Sequence, residues 1–350
     1  MRIGVIGASG YVGGEVLRYL LTHPEVEVTV ATSERFKGEY VQRIHPNLRG
    51  LTNLRFIPHT SPEISDECDF IILTAPHGAS SSLVPQFLEI GFRVIDAAAD
   101  FRLKDPSAYE MWYGWKHNNP ELLKEAVYGL PELHREEIKG ARLVAAPGCI
   151  AACSILALAP LAQEKLIDDE KIIVDAKVGS SGSGSKPSIY THHAERYGVI
   201  RPYKPVGHRH TPEIEQELSG ISGSKIIVSM SAHAVNIVRG ILTTCHVFTD
   251  SEIKASNLYH MYRAFYKDEP FIRIVRDSKA VYKYPDPKLL VGSNFCDVGF
   301  EIDGRSKRIV LLSALDNLGK GAAGTIIQCM NIMLNYEETA GLIQPGIHPV

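Results

Sequence analysis

The sequence predicts two architectures in one chain: an α/β Rossmann domain on a parallel sheet, and an α+β domain on a mixed or antiparallel sheet. Three observations carry this expectation. A glycine-punctuated turn, Gly7-Ala8-Ser9-Gly10-Tyr11-Val12-Gly13, joins the first strand to the first helix. The run Leu143-Val144-Ala145-Ala146-Pro147-Gly148-Cys149 passes from a short apolar strand through a tight turn into a long apolar helix. Late in the chain, strands at 297–302 and 308–314 flank Asp303-Gly304, a hairpin signal.

Taken in order, residues 2–7 form an apolar strand. Glycines in the turn after it let the backbone approach a pyrophosphate, which rests on the N-terminus of the next helix. Gly7, Ser9, Gly10, Tyr11 and Val12 are the candidate contacts. Val12, Val16, Leu17, Leu20 and Leu21 share one face of that helix. A second strand, 26–32, ends in Thr32-Ser33-Glu34-Arg35. NAD-binding chains place an acid there for the ribose diol. Here the Ser33 hydroxyl and the Arg35 guanidinium suit a 2′-phosphate, so NADP(H) is expected, with Glu34 keeping NAD as the alternative. Strands at 69–75 and 93–97 follow, and Ala99-Asp100-Phe101-Arg102 lies just beyond the second. The planar fork of Arg102 matches phosphate oxygens, and pairing with Asp100 or Asp105 is its alternative.

Cys149 opens a helix, whose unpaired N–H groups and dipole favour thiolate. That makes it the candidate nucleophile; a small buried hydrophobe is the alternative. A strand at 171–178 leads into Gly179-Ser180-Ser181-Gly182-Ser183-Gly184-Ser185-Lys186, which is expected to be a close-approach loop with Ser181 and Gly182 near cofactor or thiol; a flexible linker is the alternative. Residues 192–197 suggest a helix. Thr211-Pro212 has the form of an N-cap with proline at the first helical position, which leaves His208 and His210 in the loop before it. Either imidazole suits acid/base chemistry, and a plain capping or surface role is the alternative. Their His-x-His spacing resembles a metal pair, but no neighbouring cysteine or carboxylate set completes a site, so no metal is expected. Strands at 225–231 and 239–248 are expected to pair antiparallel across Ala234-Val235-Asn236. Asp316-Asn317-Leu318-Gly319-Lys320-Gly321 then enters a last helix, 322–334, that returns to the first domain. The expected division is 1–148 with 317–350 for the dinucleotide domain and 149–316 for the other.

The totals exclude several classes. A formal charge of −3 argues against general nucleic-acid binding, and no apolar run is long enough to span a bilayer. A strand that begins at residue 2 leaves no room for a signal peptide. Six scattered cysteines with no Cys-x-x-Cys pair fit a reducing, cytoplasmic setting.

Together, Gly7 through Glu15, Ala99-Asp100-Phe101-Arg102-Leu103, Pro147-Gly148-Cys149, His208-Arg209-His210-Thr211-Pro212-Glu213-Ile214 and Asp316 through Gly324 resemble the N-acetyl-γ-glutamyl-phosphate reductase family, related to the aspartate-semialdehyde dehydrogenases. The resemblance covers nearly the whole chain. It implies NADPH, Cys149 as nucleophile, His208 as acid/base with His210 second, and Asn317 near the nicotinamide. Arg209 and Arg239 join Arg102 as candidate substrate residues. The implied reaction reduces an acyl phosphate to a semialdehyde through a Cys149 thioester, with a protonated His208 donating to the oxyanion. The common bacterial members continue Cys-Tyr-Pro-Thr, whereas this chain has Cys149-Ile150-Ala151-Ala152, which resembles the archaeal and Thermus-type branch. Those reductases act on glutamate or 2-aminoadipate carried by its amino group on a small acidic protein, in lysine and arginine biosynthesis. Arg196, Arg201, Lys204 and Arg209 would suit such a partner, with plain solvated charge as the alternative. The N-acetylated substrate of the ordinary arginine pathway is the alternative; a thiol acyltransferase or hydrolase, or an NADP-binding regulatory protein, are alternatives of other classes. The resemblance also implies a homo-oligomer, dimer or tetramer.

Overall fold

The computed structural model describes residues 1–167, 171–249, 252–277, 279 and 281–350. The chain divides into two compact units, Met1–Pro147 with Ala322–Gln344 and Gly148–Gly321 with Pro345–Val350.

The first unit carries seven strands: β1 (Arg2–Ile6), β2 (Glu27–Thr32), β3 (Phe56–Ile57), β4 (Phe70–Leu73), β5 (Arg93–Asp96), β6 (Val127–Tyr128) and β7 (Leu143–Ala145). Every pairing is parallel, in the order β3-β2-β1-β4-β5-β7-β6. The short apolar runs of β4 and β7 are buried throughout, as a parallel sheet covered on both faces requires. Between β2 and β4 the connections leave β1 in opposite directions, and there a doubly wound sheet opens its ligand crevice. Gly7 sits at that point with φ +81°, and a Cβ on it would lie 2.9 Å from Thr74 O. The Tyr11–Leu20 helix follows, and a Cβ on its Gly13 would lie 2.6 Å from Ala8 Cα. Close helix–strand packing therefore needs both glycines. The late helix Gly324–Met333 belongs to this unit and is buried along its whole length. Its Asn331 accepts a 3.0 Å hydrogen bond from His23 Nε2, since Nδ1 of that ring accepts from Glu25 N.

The second unit carries β8 (Ile172–Val178), β9 (Ile200–Lys204), β10 (Val228–Val235), β11 (Ile241–Phe248), β12 (Ile272–Ile274), β13 (Cys296–Asp303) and β14 (Arg308–Leu315). They form one mixed sheet in the order β12-β13-β14-β11-β8-β10-β9. Burial alternates along β8, β10 and β11, so one face is covered. The Cys149–Gln163 helix covers it: Ile150 through Ala162 are buried, and Cys153 Sγ meets Thr243 Oγ1 and Ser313 Oγ at 3.5 and 3.4 Å. The β13–β14 hairpin forms as expected, with Asp303 opposite Arg308.

One pairing differs from the expectation. The strands on either side of 234–236 do not pair with each other; β8 lies between them, parallel to β10 and antiparallel to β11. The intervening segment is anchored instead to the end of β8: Gly179, Ser180 and Ser181 donate their N–H groups to Gly240 O, Ile237 O and Val238 O. A tight hairpin cannot form while those carbonyls serve another strand's end. The helix expected over 192–197 is one turn, His193–Arg196.

Candidate active site

Cys149 is the first residue of a fifteen-residue helix, and it is partly exposed where the other five cysteines are buried. Its neighbour Gly148 donates its N–H to Glu213 Oε2 at 2.8 Å. The glycine is demanded by crowding rather than by backbone angle, since φ is −67°. A Cβ there would lie 2.5 Å from His210 Nε2 and 2.8 Å from Glu213 Oε1. His210 is the N-cap of the Thr211–Ser222 helix, one residue earlier than expected, and Glu213 lies in its first turn. An imidazole and a buried carboxylate from one helix start therefore stand against the turn that carries the thiol. On another side, a Cβ on Gly321 would lie 2.9 Å from Cys149 Cβ.

His208 stands one step further out. The His210 N–H donates to its Nδ1 at 3.1 Å, so the proton sits on Nε2, which donates to Tyr203 Oη at 3.1 Å. Burial, then the charges of Arg209 and Lys204, pull its pKa down to about 4. His208 is therefore neutral at rest, and the protonated form expected from the sequence is not the resting one. Burial and then negative charge on Cys149 raise the Tyr203 phenol.

A second network holds the loops around this centre. Asp316, fully buried, accepts from Gly292 N, Leu318 N and Arg239 Nε. Asn317 accepts from Gly240 N at 2.7 Å and donates to Ser181 Oγ at 2.9 Å, and Ser181 Oγ donates to Val238 O. Ser181 and Asn317, chosen from the sequence as cofactor contacts, thus bond to each other. Gly182 belongs to the same short 3-10 turn, Ser180–Ser183. Arg239 is an ion-pair partner of Asp316 at 2.9 Å. Arg209 is exposed.

In the first unit, Gly10 caps the Tyr11–Leu20 helix, and a Cβ on it would meet nothing within 4 Å. Tyr11 and Val12 begin that helix. Ser33 Oγ donates to Ser9 Oγ at 2.9 Å, and exposed Arg35 lies 5.0 Å from the Phe36 ring centre. Glu34 is engaged by His59, whose N–H reaches its Oε1 at 2.9 Å and whose Nδ1 pairs with the same oxygen. Arg102 is buried, with Nε donating to Ala146 O and Nη2 to Ala97 O, while Asp100 accepts from Gly78 N and Ser81 N. Among the described residues no cluster of three or more His, Cys, Asp or Glu is set to hold a metal, and no helix is long and apolar enough to cross a membrane.

Sequence reasoning gave no role to Tyr203, Glu213 or Gly321. The i, i+3 spacing of His210 and Glu213, which puts both on one side of a helix start, was the available signal.

Comparison with known proteins agrees with this architecture. Residues 2–141 match the semialdehyde dehydrogenase NAD binding domain and residues 149–317 the semialdehyde dehydrogenase dimerisation domain. The chain belongs to the semialdehyde dehydrogenase family. Within it, the chain falls in one subfamily with a set of phosphate reductases. It is 54% identical over 350 residues, all of both chains, to a putative LysW-L-2-aminoadipate/LysW-L-glutamate phosphate reductase of Cenarchaeum symbiosum. It is 48% identical to the LysW-L-2-aminoadipate/LysW-L-glutamate phosphate reductase of Saccharolobus solfataricus, over 100% of this chain and 99% of that one. Its fold matches aspartate semialdehyde dehydrogenase II of Vibrio cholerae with a TM-score of 0.74 at 19% identity, covering 95% of this chain and 98% of that one.

Proposed function

We propose that this protein reduces a carrier-linked 2-aminoadipyl 6-phosphate or glutamyl 5-phosphate to the semialdehyde, with NADPH as donor and Cys149 as nucleophile. The observation that carries the proposal is the placement of His210 and Glu213 against the Gly148-Cys149 turn, with His208 bonded to the His210 backbone and to Tyr203, in a chain with an NAD-binding domain. That domain excludes a plain thiol hydrolase as the simpler reading. The names of the full-length relatives support the carrier-linked substrate.

The dinucleotide site fits its ligand. Gly7 and Gly13 are packed as the phosphate turn requires, while Gly10 opens onto space at the helix N-terminus, where anions are favoured. Ser33 and Arg35 would hold a 2′-phosphate. Glu34, the acid that would otherwise favour NAD, is turned to His59. Bound NADPH supplies the hydride.

The chain's own residues do the rest. A neutral imidazole takes the Cys149 proton: His210, whose ring stands against the Gly148 turn, or His208. The thiolate attacks the acyl carbonyl, phosphate leaves, and a thioester remains. After reduction, the imidazolium returns its proton to the oxyanion, then takes it back as the C–S bond breaks and the aldehyde departs. Ile150 and Ala151 N–H groups, which precede the first intrahelical bond from Ala152 N to Gly148 O, are placed to stabilise the oxyanion. We assign Arg102, Arg209 and Arg239 to the substrate's phosphate and carboxylate, with Arg102 held in orientation by its two carbonyl partners. We assign Ser181 and Asn317, which bond to each other, to the cofactor, whose nicotinamide they would contact. The dimerisation domain supports a homo-oligomer, and the free cysteines a cytoplasmic location.

Of the cationic stretch, Arg196 donates to Val178 O and Arg201 to Glu195 O, while Lys204 and Arg209 are exposed beside exposed Ile200 and Val206. An acidic carrier would meet that surface. The test is phosphate-dependent reduction of NADP with carrier-linked, N-acetylated and free semialdehydes. Carrier-linked turnover should dominate, and should fall with salt more steeply than turnover of the small substrates, because exposed charges are screened beyond about 8–10 Å. Efficient use of the N-acetylated substrate with none of the carrier form would place the chain in the ordinary arginine pathway instead.

A further inference from the structure

Gly14 is a glycine that the phosphate-turn spacing does not require. The turn uses Gly7, Gly10 and Gly13, whereas Gly14 lies inside the Tyr11–Leu20 helix, where glycine is unfavourable relative to alanine. Its reason is the side chain opposite. A Cβ on Gly14 would lie 2.5 Å from both Cε1 and Nδ1 of His45. His45 follows the short helix Val41–Ile44, is 9% exposed, and stands edge-on to the Phe56 ring at 6.5 Å between centres.

The ring makes one directed contact, from Nε2 to Ala8 O at 2.9 Å. A carbonyl only accepts, so Nε2 carries the proton and donates. Burial lowers the pKa of His45, which keeps the ring neutral. Ala8 is the second residue of the turn, and its other end is also held: Ala8 N–H donates to Thr32 O at 2.9 Å, beside a 3.0 Å bond from Gly7 N–H to Thr32 Oγ1. In a trans peptide the C=O and N–H point opposite ways. Tying the Ala8 carbonyl to His45 therefore aims the Ser9 N–H away from His45.

We propose that His45 is a positioning residue for the dinucleotide phosphates: a ring admitted by Gly14 that orients the Ala8–Ser9 peptide so that its N–H meets a phosphate oxygen. The proposal rests on reading this turn as the phosphate site of the NAD-binding domain. It concerns a residue outside the turn, contributed by the connection between β2 and β3.

The test compares His45→Ala, His45→Asn and His45→Gln in the full chain, each confirmed folded by thermal melting. Glutamine places an amide donor close to the Nε2 position, asparagine closer to Nδ1. NADPH affinity, measured by direct titration, should weaken about fivefold to tenfold in the alanine and asparagine variants, the worth of one net hydrogen bond, and recover in His45→Gln. The KM for the acyl substrate and kcat at saturating NADPH should stay at parental values. Gly14→Ala should show the same loss, and the double variant Gly14→Ala/His45→Ala should be no weaker than either alone, because both break one contact. Should His45→Ala fail to fold, the glutamine and asparagine pair carries the comparison. Equal weakening by glutamine and asparagine, or unchanged NADPH affinity in the folded variants, overturns the proposal. An unmodified chain that does not bind NADPH overturns the parent reading instead.

Discussion

Replacing Gly148 with alanine adds one carbon to the turn that carries Cys149. With φ −67° and ψ 138°, alanine meets no backbone strain there. The new Cβ would nonetheless fall 2.5 Å from His210 Nε2, 2.6 Å from its Cδ2 and 2.8 Å from Glu213 Oε1. Non-bonded heavy atoms settle at about 3.5 Å, so the imidazole must retreat by about 1 Å. A misplacement of that size costs about a hundredfold in rate when the displaced group does the chemistry. The overpacking itself costs about 1–3 kcal/mol of stability. The expected outcome is a folded enzyme with kcat lowered about a hundredfold and NADPH affinity unchanged. Phosphate- and aldehyde-dependent formation of NADPH, followed by absorbance, reads the rate. The partner experiment is Gly148→Ala/His210→Ala, which removes the two closest contacts and leaves only the approach to the Glu213 carboxylate; it should lose far less relative to His210→Ala than Gly148→Ala loses relative to the parent. Near-parental kcat in a folded Gly148→Ala enzyme would refute the placement of His210 in the chemistry.

Other outcomes follow from the same geometry. Cys149→Ser should retain less than about a hundredth of parental activity with NADPH binding intact, since serine without a strong base is a poor nucleophile. Cys153→Ser should alter stability alone, because burial pushes that thiol up to about 11. Whichever of His208→Ala and His210→Ala loses more, within about a hundredfold to ten-thousandfold, identifies the acid/base group; no loss from either makes the loop structural. Ser33→Ala/Arg35→Ala should erase a preference for NADPH over NADH, and equal efficiency with both in the unmodified enzyme would sink the 2′-phosphate reading. Asp96 is buried, and burial, then the charge of Asp100, raise its carboxyl from 3.8 to about 7. Between those values the folded chain keeps a proton that the unfolded chain releases, so this group's contribution falls as pH rises. Asp96→Asn should therefore gain stability relative to the parent by about 3 kcal/mol between about pH 5 and pH 8, measured by urea unfolding. A pH-independent difference would contradict it.

Much of the fold was legible because its signals are local. The turn at Gly7 through Gly13, the entry into the helix at Cys149 and the hairpin at Asp303-Gly304 each depend on residues a few positions apart, whose backbone demands survive any tertiary context. The placing of β8 between β10 and β11 was not legible, because strands so distant in sequence compete for the same backbone groups, and the loop 237–240 bonds to the end of β8 instead. The site divides the same way.

By itself the sequence determined which groups are present and on which kind of element each stands: a thiol at a helix start, two imidazoles before a helix, a hydroxyl and a guanidinium after β2. Only the tertiary structure decided their state and their neighbours. It set His210 and Glu213 against Gly148, made His208 neutral by burying it beside Arg209 and Lys204, and turned Glu34 to His59. It also revealed why Gly14 and Gly148 are glycines, with φ within reach of any residue at Gly148 and a helical position at Gly14. Desolvation, charge proximity and steric exclusion act through space between residues far apart in the chain, so no local pattern encodes them.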